Sequence, residues 1–247
     1  MIYSEIINKV NEKKKQIAIL FDPDKVEIDC ECFFKKIDLI TKANVDLIFV
    51  GGSLIHKNIE KLIVEIKKLT TIPVILFPGS IYQVSDKADA ILFLSLISGR
   101  NPEFLIGNHV TSANFIRQSN LEVIPTGYLL IEGGKTSSVE YISNTKPIPR
   151  DKTDIAVATA IAGEMLGMKL IYLDAGSGAL EIVPVEMICQ VKVNINIPLI
   201  IGGGIRTKED AQKIFEAGAD IIVVGTAFEN NIDILEFGEP KDVILKR

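Results

Sequence analysis

The chain has 247 residues, 47% of them hydrophobic and 24% charged, and this length suits one barrel or one large α/β domain over residues 1–247. Lys and Arg total 27 against 32 for Asp and Glu, and the resulting net charge of −5 argues against a basic surface for nucleic acid. Mean hydropathy is +0.29, yet no apolar run approaches the roughly 18–20 residues that cross a bilayer, so no transmembrane segment is expected.

Short apolar runs alternate along the chain with longer amphipathic segments, which is the pattern of successive strands and helices. Eight runs are predicted to be strands, at residues 17–21, 45–50, 73–77, 90–94, 122–124, 169–173, 198–201 and 220–224. Helices are predicted at residues 28–42, 58–69, 103–118, 154–166, 184–191 and 208–217. Strands that are apolar along their whole length are buried on both faces, as in parallel sheets covered by helices. Eight of them favour a (β/α)8 TIM barrel over an open doubly wound sheet.

Two connections depart from this rhythm. Residues 78–89 join the third and fourth predicted strands, which is about the shortest length for a crossover that contains a helix. We therefore expect the third helix to be missing or reduced to a turn. Residues 127–151 are the opposite case, a polar stretch too long for a plain loop, and we expect a lid or an inserted hairpin over the site.

Glycine-rich segments follow the last three predicted strands, at residues 175–178 (AGSG), 202–204 (GGG) and 225–226 (GT). In a barrel these loops lie at the C-terminal rim, and the loops after strands seven and eight commonly hold a phosphate. Glycine allows backbone N–H groups to approach an anion closely. A tight turn would explain any one of these glycines, but the pair of loops together predicts phosphate binding.

A second group of candidates follows the first two predicted strands. Asp22 ends the first strand, and Ser53 follows two glycines after the second. A carboxylate and a hydroxyl, completed by phosphate oxygens of a substrate, are a usual way for enzymes to hold Mg²⁺. We therefore expect a metal site at Asp22 and Ser53. Asp24 and Ser53 are alternatively helix caps, and for Asp24 alone the cap is favoured.

Asp174 follows the sixth predicted strand, directly before the AGSG loop. A carboxylate at this rim position can act as a general base toward a substrate hydroxyl, or can simply accept a hydrogen bond from it. The alternative is a residue that caps the turn.

Other polar residues give weaker signals. Arg100 follows the fourth predicted strand at the same rim, where it would meet a phosphate or form a salt bridge within its loop. His56 and His109 are the only two histidines, and no Asp or Cys at ligand spacing accompanies either of them. We expect both on helix surfaces.

Cysteine usage indicates the compartment. Cys30, Cys32 and Cys189 are an odd number in a long chain, which favours reduced thiols and a cytoplasmic location over a disulfide framework. Cys30 and Cys32 fall in a predicted helix, where a one-residue gap places them on different faces, so a metal pair is not expected. The N-terminal segment has scattered charges and no small-residue cleavage site, so a secretory signal is not expected.

Six motifs occur together in one order along the chain: FDPDK (21–25), VGGS (50–53), LSLISGRNP (94–102), YLDAGSG (172–178), GGGI (202–205) and VGT (224–226). In this combination the chain closely resembles the geranylgeranylglyceryl phosphate synthases over nearly its whole length. The resemblance implies a TIM barrel without its third helix. It also implies transfer of a geranylgeranyl group from its diphosphate to the 3-hydroxyl of sn-glycerol 1-phosphate, with release of diphosphate.

The resemblance also implies roles for particular residues. Mg²⁺, the implied cofactor, would bind at the positions matching Asp22 and Ser53. The glycerol phosphate would bind at Tyr172, Leu173, Asp174, Ala175, Gly176, Ser177, Gly178, Gly203, Gly204, Gly225 and Thr226. Many relatives carry Glu where this chain has Asp174, so the acid is one methylene shorter, and it would either take the proton or orient the hydroxyl.

The prenyl tail needs an apolar groove. The absent third helix would leave one beside strands three and four, and its expected lining is Phe77, Ile81, Tyr82, Phe93 and Leu96. The high hydropathy without a membrane span predicts a homo-oligomer, and the family's dimers and hexamers set the expected sizes. The lipid product makes transient contact with a membrane surface a further expectation.

Three alternatives stay open on the sequence alone. One is a heptaprenyl (C35) donor in place of the geranylgeranyl (C20) donor. The second is another phosphate-binding barrel enzyme, such as a sugar-phosphate isomerase, which needs an acid/base pair but no Mg²⁺ and no prenyl groove. The third is a barrel that binds a phosphorylated metabolite without catalysis.

Overall fold

A computed structural model describes residues 1–230 of the chain. Eight parallel strands close into a barrel in chain order, and the last strand pairs with the first from Gln16↔Ile221 to Ile19↔Val224. The predicted TIM barrel is therefore confirmed, while residues 231–247 of the expected single domain lie outside the described part. The strands are β1 (Gln16–Phe21), β2 (Leu47–Gly52), β3 (Val74–Pro78), β4 (Ala90–Leu96), β5 (Glu122–Leu130), β6 (Leu170–Asp174), β7 (Leu199–Gly202) and β8 (Ile221–Val224).

Helices surround the barrel, and the six predicted ones are all present. The short helices α5 (Ser138–Ser143) and α9 (Thr226–Asn230) and the N-terminal helix α1 (Ile2–Asn11) were not predicted. Ile6 of α1 is buried in the cluster that fills the barrel interior, so α1 covers the N-terminal end of the barrel. The helices are α1 (Ile2–Asn11), α2 (Glu31–Lys42), α3 (Ile59–Leu69), α4 (Asn108–Gln118), α5 (Ser138–Ser143), α6 (Thr153–Met165), α7 (Val185–Asn194), α8 (Lys208–Glu216) and α9 (Thr226–Asn230).

Strand alternation divides the core into two layers. Leu173 on β6 belongs to the layer between the strands and the helices, whereas Tyr172 belongs to the layer inside the barrel. Because side chains alternate along a strand, Asp174 shares the inward face with Tyr172. It lies at the last position of β6, where the barrel interior opens.

The connection between β3 and β4 contains only one short 3₁₀ turn, Ile81–Gln83. The helix expected after the third strand, which is distinct from α3, is therefore reduced to a turn, and that prediction is confirmed. Within residues 1–230, no helix is long and apolar enough to cross a membrane.

The region from 122 to 151 differs from the prediction. β5 continues to Leu130, six residues beyond the predicted end at 124, because it pairs with β4 and β6 along its length, including Phe93↔Pro125 and Tyr128↔Tyr172. Beyond β5 the chain forms α5 and returns through a parallel bridge between Ile131 and Ile148, so there is no hairpin.

The prediction of reduced thiols is wrong for one pair of cysteines. Cys30 and Cys32 form a disulfide, and α2 begins only at Glu31, after Cys30 has served as its N-cap in an extended conformation. Cys30 therefore stands outside the helix, and its side chain is free to turn toward Cys32. The expected cytoplasmic location no longer rests on these residues. Cys189 is a free thiol on α7.

Candidate active site

Two adjacent cavities lie at the C-terminal end of the barrel. The polar cavity is lined by both acidic candidates and the glycine loops, including Asp22, Ser53, Asp174, Ser177, Gly178, Gly203, Gly204, Gly225 and Thr226. The apolar cavity lies between β3, β4 and α4 and is lined by Phe77, Ile81, Phe93, Leu96, Phe104 and His109, among others. Gly52, Ser53, Phe77 and Val139 line both cavities. A polar compartment and an apolar one therefore share a wall at this end of the barrel.

Asp174 is the buried carboxylate of the polar cavity, with 6% of its surface exposed. The Tyr128 hydroxyl donates a hydrogen bond to its Oδ2, and the Gly176 N–H donates to its Oδ1 at 2.9 Å. Burial raises the pKa of Asp174, and these two hydrogen bonds oppose that rise. Asp174 thus caps its own turn through one oxygen, while its raised pKa suits it to accept a proton.

Three aromatic rings form the floor beneath this carboxylate. The Tyr172 ring centroid lies 5.4 Å from that of Phe77 and 5.3 Å from that of Tyr128. Burial, and then the charge of Asp174, raise the pKa values of Tyr128 and Tyr172, so both phenols stay protonated. Sequence reasoning missed Tyr128, because it lies in the segment that was predicted to be a lid or an inserted hairpin.

The three glycine loops meet at one side of the polar cavity. Gly203 and Gly204 have φ values of +83° and +74°, which residues with a side chain rarely adopt. A Cβ on Gly203 would lie 2.7 Å from both Asp174 Oδ1 and the Gly176 nitrogen. The Ser177 and Thr226 hydroxyl oxygens are 3.2 Å apart, which joins the loops after β6 and β8.

The predicted glycerol phosphate residues divide into two groups. Ser177, Gly178, Gly203, Gly204, Gly225 and Thr226 line the polar cavity together with Tyr172 and Asp174. Leu173 and Ala175 pack instead in the layer between strands and helices. Gly176 contributes its N–H to Asp174. The last three therefore shape the loop from behind the cavity wall.

Asp22 and Ser53 face the same polar cavity. Asp22 caps the short turn Pro23–Lys25, where its Oδ1 accepts from the Asp24 N–H at 3.1 Å. Lys25 Nζ lies 3.4 Å from Asp22 Oδ2. Within residues 1–230 no group of three or more His, Cys, Asp or Glu side chains could hold a metal ion.

Asp24 does not cap the turn that contains it. Its Oδ1 accepts from the backbone N–H groups of His56 at 3.0 Å and Lys57 at 2.8 Å, just before α3. These hydrogen bonds, above all that from Lys57, hold the pKa of Asp24 below its usual range. Asp24 therefore ties the loop after β1 to the loop after β2.

The prediction for His109 is wrong. His109 is 7% exposed and lines the apolar cavity, its Nε2 lies 3.2 Å from Ser95 Oγ, and its ring meets the Phe93 ring edge-on at 4.4 Å. A π-helical turn, Glu103–Gly107, precedes α4. Because a π turn inserts an extra residue, it changes which side chains face the barrel.

The remaining rim candidates lie outside the cavities. His56 is exposed in the loop before α3 rather than on a helix. Arg100 is exposed and donates to the Gly99 carbonyl of its own loop at 2.6 Å. Of the expected groove residues, Phe77, Ile81, Phe93 and Leu96 line the apolar cavity, but Tyr82 is 88% exposed and does not.

Comparison with known proteins agrees with this architecture. The sequence profile of the PcrB family matches residues 8–239. The chain belongs to the PcrB family. A geranylgeranylglyceryl phosphate synthase from Chitinophaga pinensis is 50% identical over 242 residues, covering 95% of this chain and 93% of that protein. The corresponding Flavobacterium johnsoniae protein is 49% identical over 93% of this PcrB-family chain and 94% of its own length.

A solved structure gives the same result. The crystal structure of (S)-3-O-geranylgeranylglyceryl phosphate synthase from Thermoplasma acidophilum, in complex with the substrate sn-glycerol-1-phosphate, superposes with a TM-score of 0.88. The two sequences are 34% identical, and the alignment covers 96% of this chain and 95% of the other. The resemblance drawn from the sequence motifs is confirmed.

Proposed function

We propose that this PcrB-family chain transfers a geranylgeranyl group from its diphosphate to the 3-hydroxyl of sn-glycerol 1-phosphate. The observation that carries the proposal is the junction of the two cavities, where the compartment with the buried carboxylate and the glycine loops shares a wall with an apolar compartment. The Thermoplasma acidophilum relative with bound sn-glycerol-1-phosphate supports the identity of the acceptor. A sugar-phosphate isomerase would have no use for the apolar cavity.

The glycerol phosphate binds on the side of the polar cavity formed by the loops after β6, β7 and β8. Backbone N–H groups near Gly203, Gly204 and Gly225 receive the phosphate, because glycine permits close approach of the backbone. The hydroxyl groups of Ser177 and Thr226 are available as further partners at the same place. The anchored acceptor then presents its 3-hydroxyl toward Asp174.

Asp174 acts on that hydroxyl. Its raised pKa improves it as a proton acceptor, and the bonds from Tyr128 and Gly176 fix its orientation. As the oxygen of the hydroxyl bonds to the first prenyl carbon, its proton passes to the carboxylate. The bond between that carbon and the diphosphate oxygen breaks, and the diphosphate leaves with the electron pair.

The side chains fit Mg²⁺ as the cofactor. The Asp22 carboxylate and the Ser53 hydroxyl are oxygen donors on one cavity wall, and Mg²⁺ typically uses one or two protein carboxylates with substrate phosphates and water. When bound there, Mg²⁺ would stabilise the negative charge of the leaving diphosphate. Ser53 lines both cavities, so it marks the point where the diphosphate of the donor meets its tail.

The tail lies in the apolar cavity. Phe77, Phe93, Leu96 and Phe104 offer apolar surface along it, and burial of each CH₂ group from water contributes about 0.8 kcal/mol. A tail of this kind brings its diphosphate to the junction at Ser53. The same wall keeps water from the reacting carbon.

Product analysis tests the proposal. The protein is incubated with sn-glycerol 1-phosphate and an equimolar mixture of farnesyl, geranylgeranyl and heptaprenyl diphosphates, with and without a chelator of divalent cations. We expect mass spectrometry to show mainly the geranylgeranyl ether, and the chelator to abolish it. A heptaprenyl product would mean that heptaprenyl diphosphate, rather than geranylgeranyl diphosphate, is the donor. Turnover that resists the chelator would refute the role of Mg²⁺. Absence of any ether would refute the proposed activity.

A further inference from the structure

The 3₁₀ turn that replaces the third helix buries one polar side chain, Gln83, at the mouth of the barrel. Gln83 is 3% exposed. Its Nε2 donates to the Gly52 carbonyl at 2.7 Å, and its Oε1 accepts from the Gly79 N–H at 3.0 Å and from the Gly52 N–H at 3.4 Å. One carboxamide therefore bonds both backbone polar groups of Gly52 and also the chain just after β3.

These contacts lie where the regular strand pairing ends. Gly52 is the last residue of β2 and is opposite Pro78 of β3, and proline has no N–H with which to continue the ladder. Gly79 packs against the same turn, since a Cβ there would lie 2.8 Å from Ser53 Cα and still closer to the Gly52 carbonyl oxygen. Gln83 and Gly79 thus hold the Gly52–Ser53 turn from the side of β3.

We propose that Gln83 is a positioning residue for the diphosphate end of the prenyl donor. It fixes the Gly52–Ser53 turn so that the Ser53 hydroxyl stays on the wall shared by the two cavities. This inference rests on the proposed function, in which Ser53 and Asp22 hold Mg²⁺ against the diphosphate. The turn that stands in place of a helix between β3 and β4 therefore contributes one side chain that shapes the site.

If Gln83 positions the diphosphate end of the donor, its loss must weaken the binding of only one of the two ligands. The glycerol phosphate side of the cavity is built from the loops after β6, β7 and β8, and none of the hydrogen bonds of Gln83 reaches them. Loss of Gln83 should therefore weaken binding of diphosphate with Mg²⁺ and leave binding of glycerol phosphate nearly unchanged. A merely structural role would affect both ligands together.

The test compares Gln83→Met with Gln16→Met. Gln16 is equally buried at 1% exposure, but it bonds the Ile6 carbonyl at the opposite end of the barrel. Calorimetric titration measures dissociation constants for inorganic pyrophosphate with Mg²⁺ and, separately, for sn-glycerol 1-phosphate. For Gln83→Met we expect pyrophosphate affinity to fall about tenfold, the scale on which buried groups respond to a lost partner. The affinity for glycerol phosphate should change less than about twofold, and Gln16→Met should alter neither.

Gly79→Ala perturbs the same turn by a different route, since its added methyl group presses on Ser53. It should reproduce the selective loss of pyrophosphate binding, and it keeps the test decisive if Gln83→Met does not fold. Unchanged pyrophosphate affinity in the folded variants, or equal weakening of both ligands, would overturn the role of Gln83. Product formation by the wild-type protein is scored separately, so failure of the proposed function is recognised independently.

Discussion

Asp174 combines a structural and a chemical role in one side chain. Its Oδ1 is engaged by the Gly176 N–H, and its Oδ2 by the Tyr128 hydroxyl. Asp174→Asn preserves the shape but removes the proton acceptor, so we expect kcat to fall by about 10²–10⁴-fold, the usual contribution of a general base. The KM for glycerol phosphate should change much less, because the phosphate anchor is intact.

Steady-state kinetics with sn-glycerol 1-phosphate varied at saturating prenyl diphosphate measure both constants. Gly225→Val is the matched variant, since a Cβ there would approach only Leu20, at 3.6 Å, and its side chain would enter the phosphate side of the polar cavity without touching Asp174. It should mainly raise KM. A drop in kcat of only a few-fold for Asp174→Asn would mean that Asp174 orients the hydroxyl and the departing diphosphate takes the proton. If Asp174→Asn changed KM alone, both of these roles for Asp174 would be contradicted.

Tyr128 should set the pH range in which Asp174 works. Its hydrogen bond favours the ionised carboxylate and so lowers the pKa of Asp174, against the larger effect of burial. Tyr128→Phe removes that bond, so the pKa should rise further and the carboxylate should become protonated at a higher pH. The acid limb of the kcat/KM profile should therefore move to higher pH. The control is Tyr3→Phe at the other end of the barrel, and a limb that moves to lower pH would disprove the assignment.

Residues such as Tyr128 and Gln83 show the limit of sequence reasoning at this scale. Their partners Asp174 and Gly52 lie 46 and 31 positions away along the chain. No local pattern marks such contacts. The shared rim position of Asp22, Ser53 and Asp174 was predictable, because each follows an apolar strand and the ends of parallel strands meet at one rim of a barrel.

At the scale of elements, burial on both faces made seven strands predictable close to their observed bounds. β5 was predicted too short because Pro125, Thr126 and Gly127 interrupt its apolar run. Pairing with two neighbours overrides the weak strand propensity of Pro125 and Gly127. The π-helical turn Glu103–Gly107 has no distinguishing residue spacing, so the facing of the residues that follow it, including the buried His109, could not be predicted.

The reduced third helix opens the apolar cavity, and α4 forms one of its walls. Ser112 of α4 lines that cavity, whereas its neighbour Ala113 is exposed. Ser112→Trp should fill the cavity, raise the KM for geranylgeranyl diphosphate by about tenfold or more, and shift product toward shorter donors, because bound CH₂ groups lose their place. Ala113→Trp adds the same side chain outside the cavity. Equal kinetics for the two variants would place the tail elsewhere.

At the scale of the whole molecule, several large apolar side chains remain exposed. Met165 and Leu166 at the end of α6 are 82% and 75% exposed, and Val193 at the end of α7 is 77% exposed. Exposed apolar side chains mark an interface where they form a contiguous patch, so we propose that these side chains lie in the interface of a homo-oligomer, either a dimer or a hexamer. Light scattering at micromolar concentration should give a multiple of 27.1 kDa, and Leu166→Glu should lower the mass. A monomer mass for the unaltered protein would end this proposal.

In the proposed reaction, the 3-hydroxyl oxygen of glycerol phosphate attacks the first prenyl carbon and displaces the diphosphate. The most direct measurement uses sn-glycerol 1-phosphate that carries a heavy oxygen isotope only at the 3-hydroxyl, together with geranylgeranyl diphosphate. We expect mass spectrometry to find the label in the ether product and none in the released diphosphate. Label in the diphosphate, or free geranylgeraniol in place of the ether, would contradict this reaction.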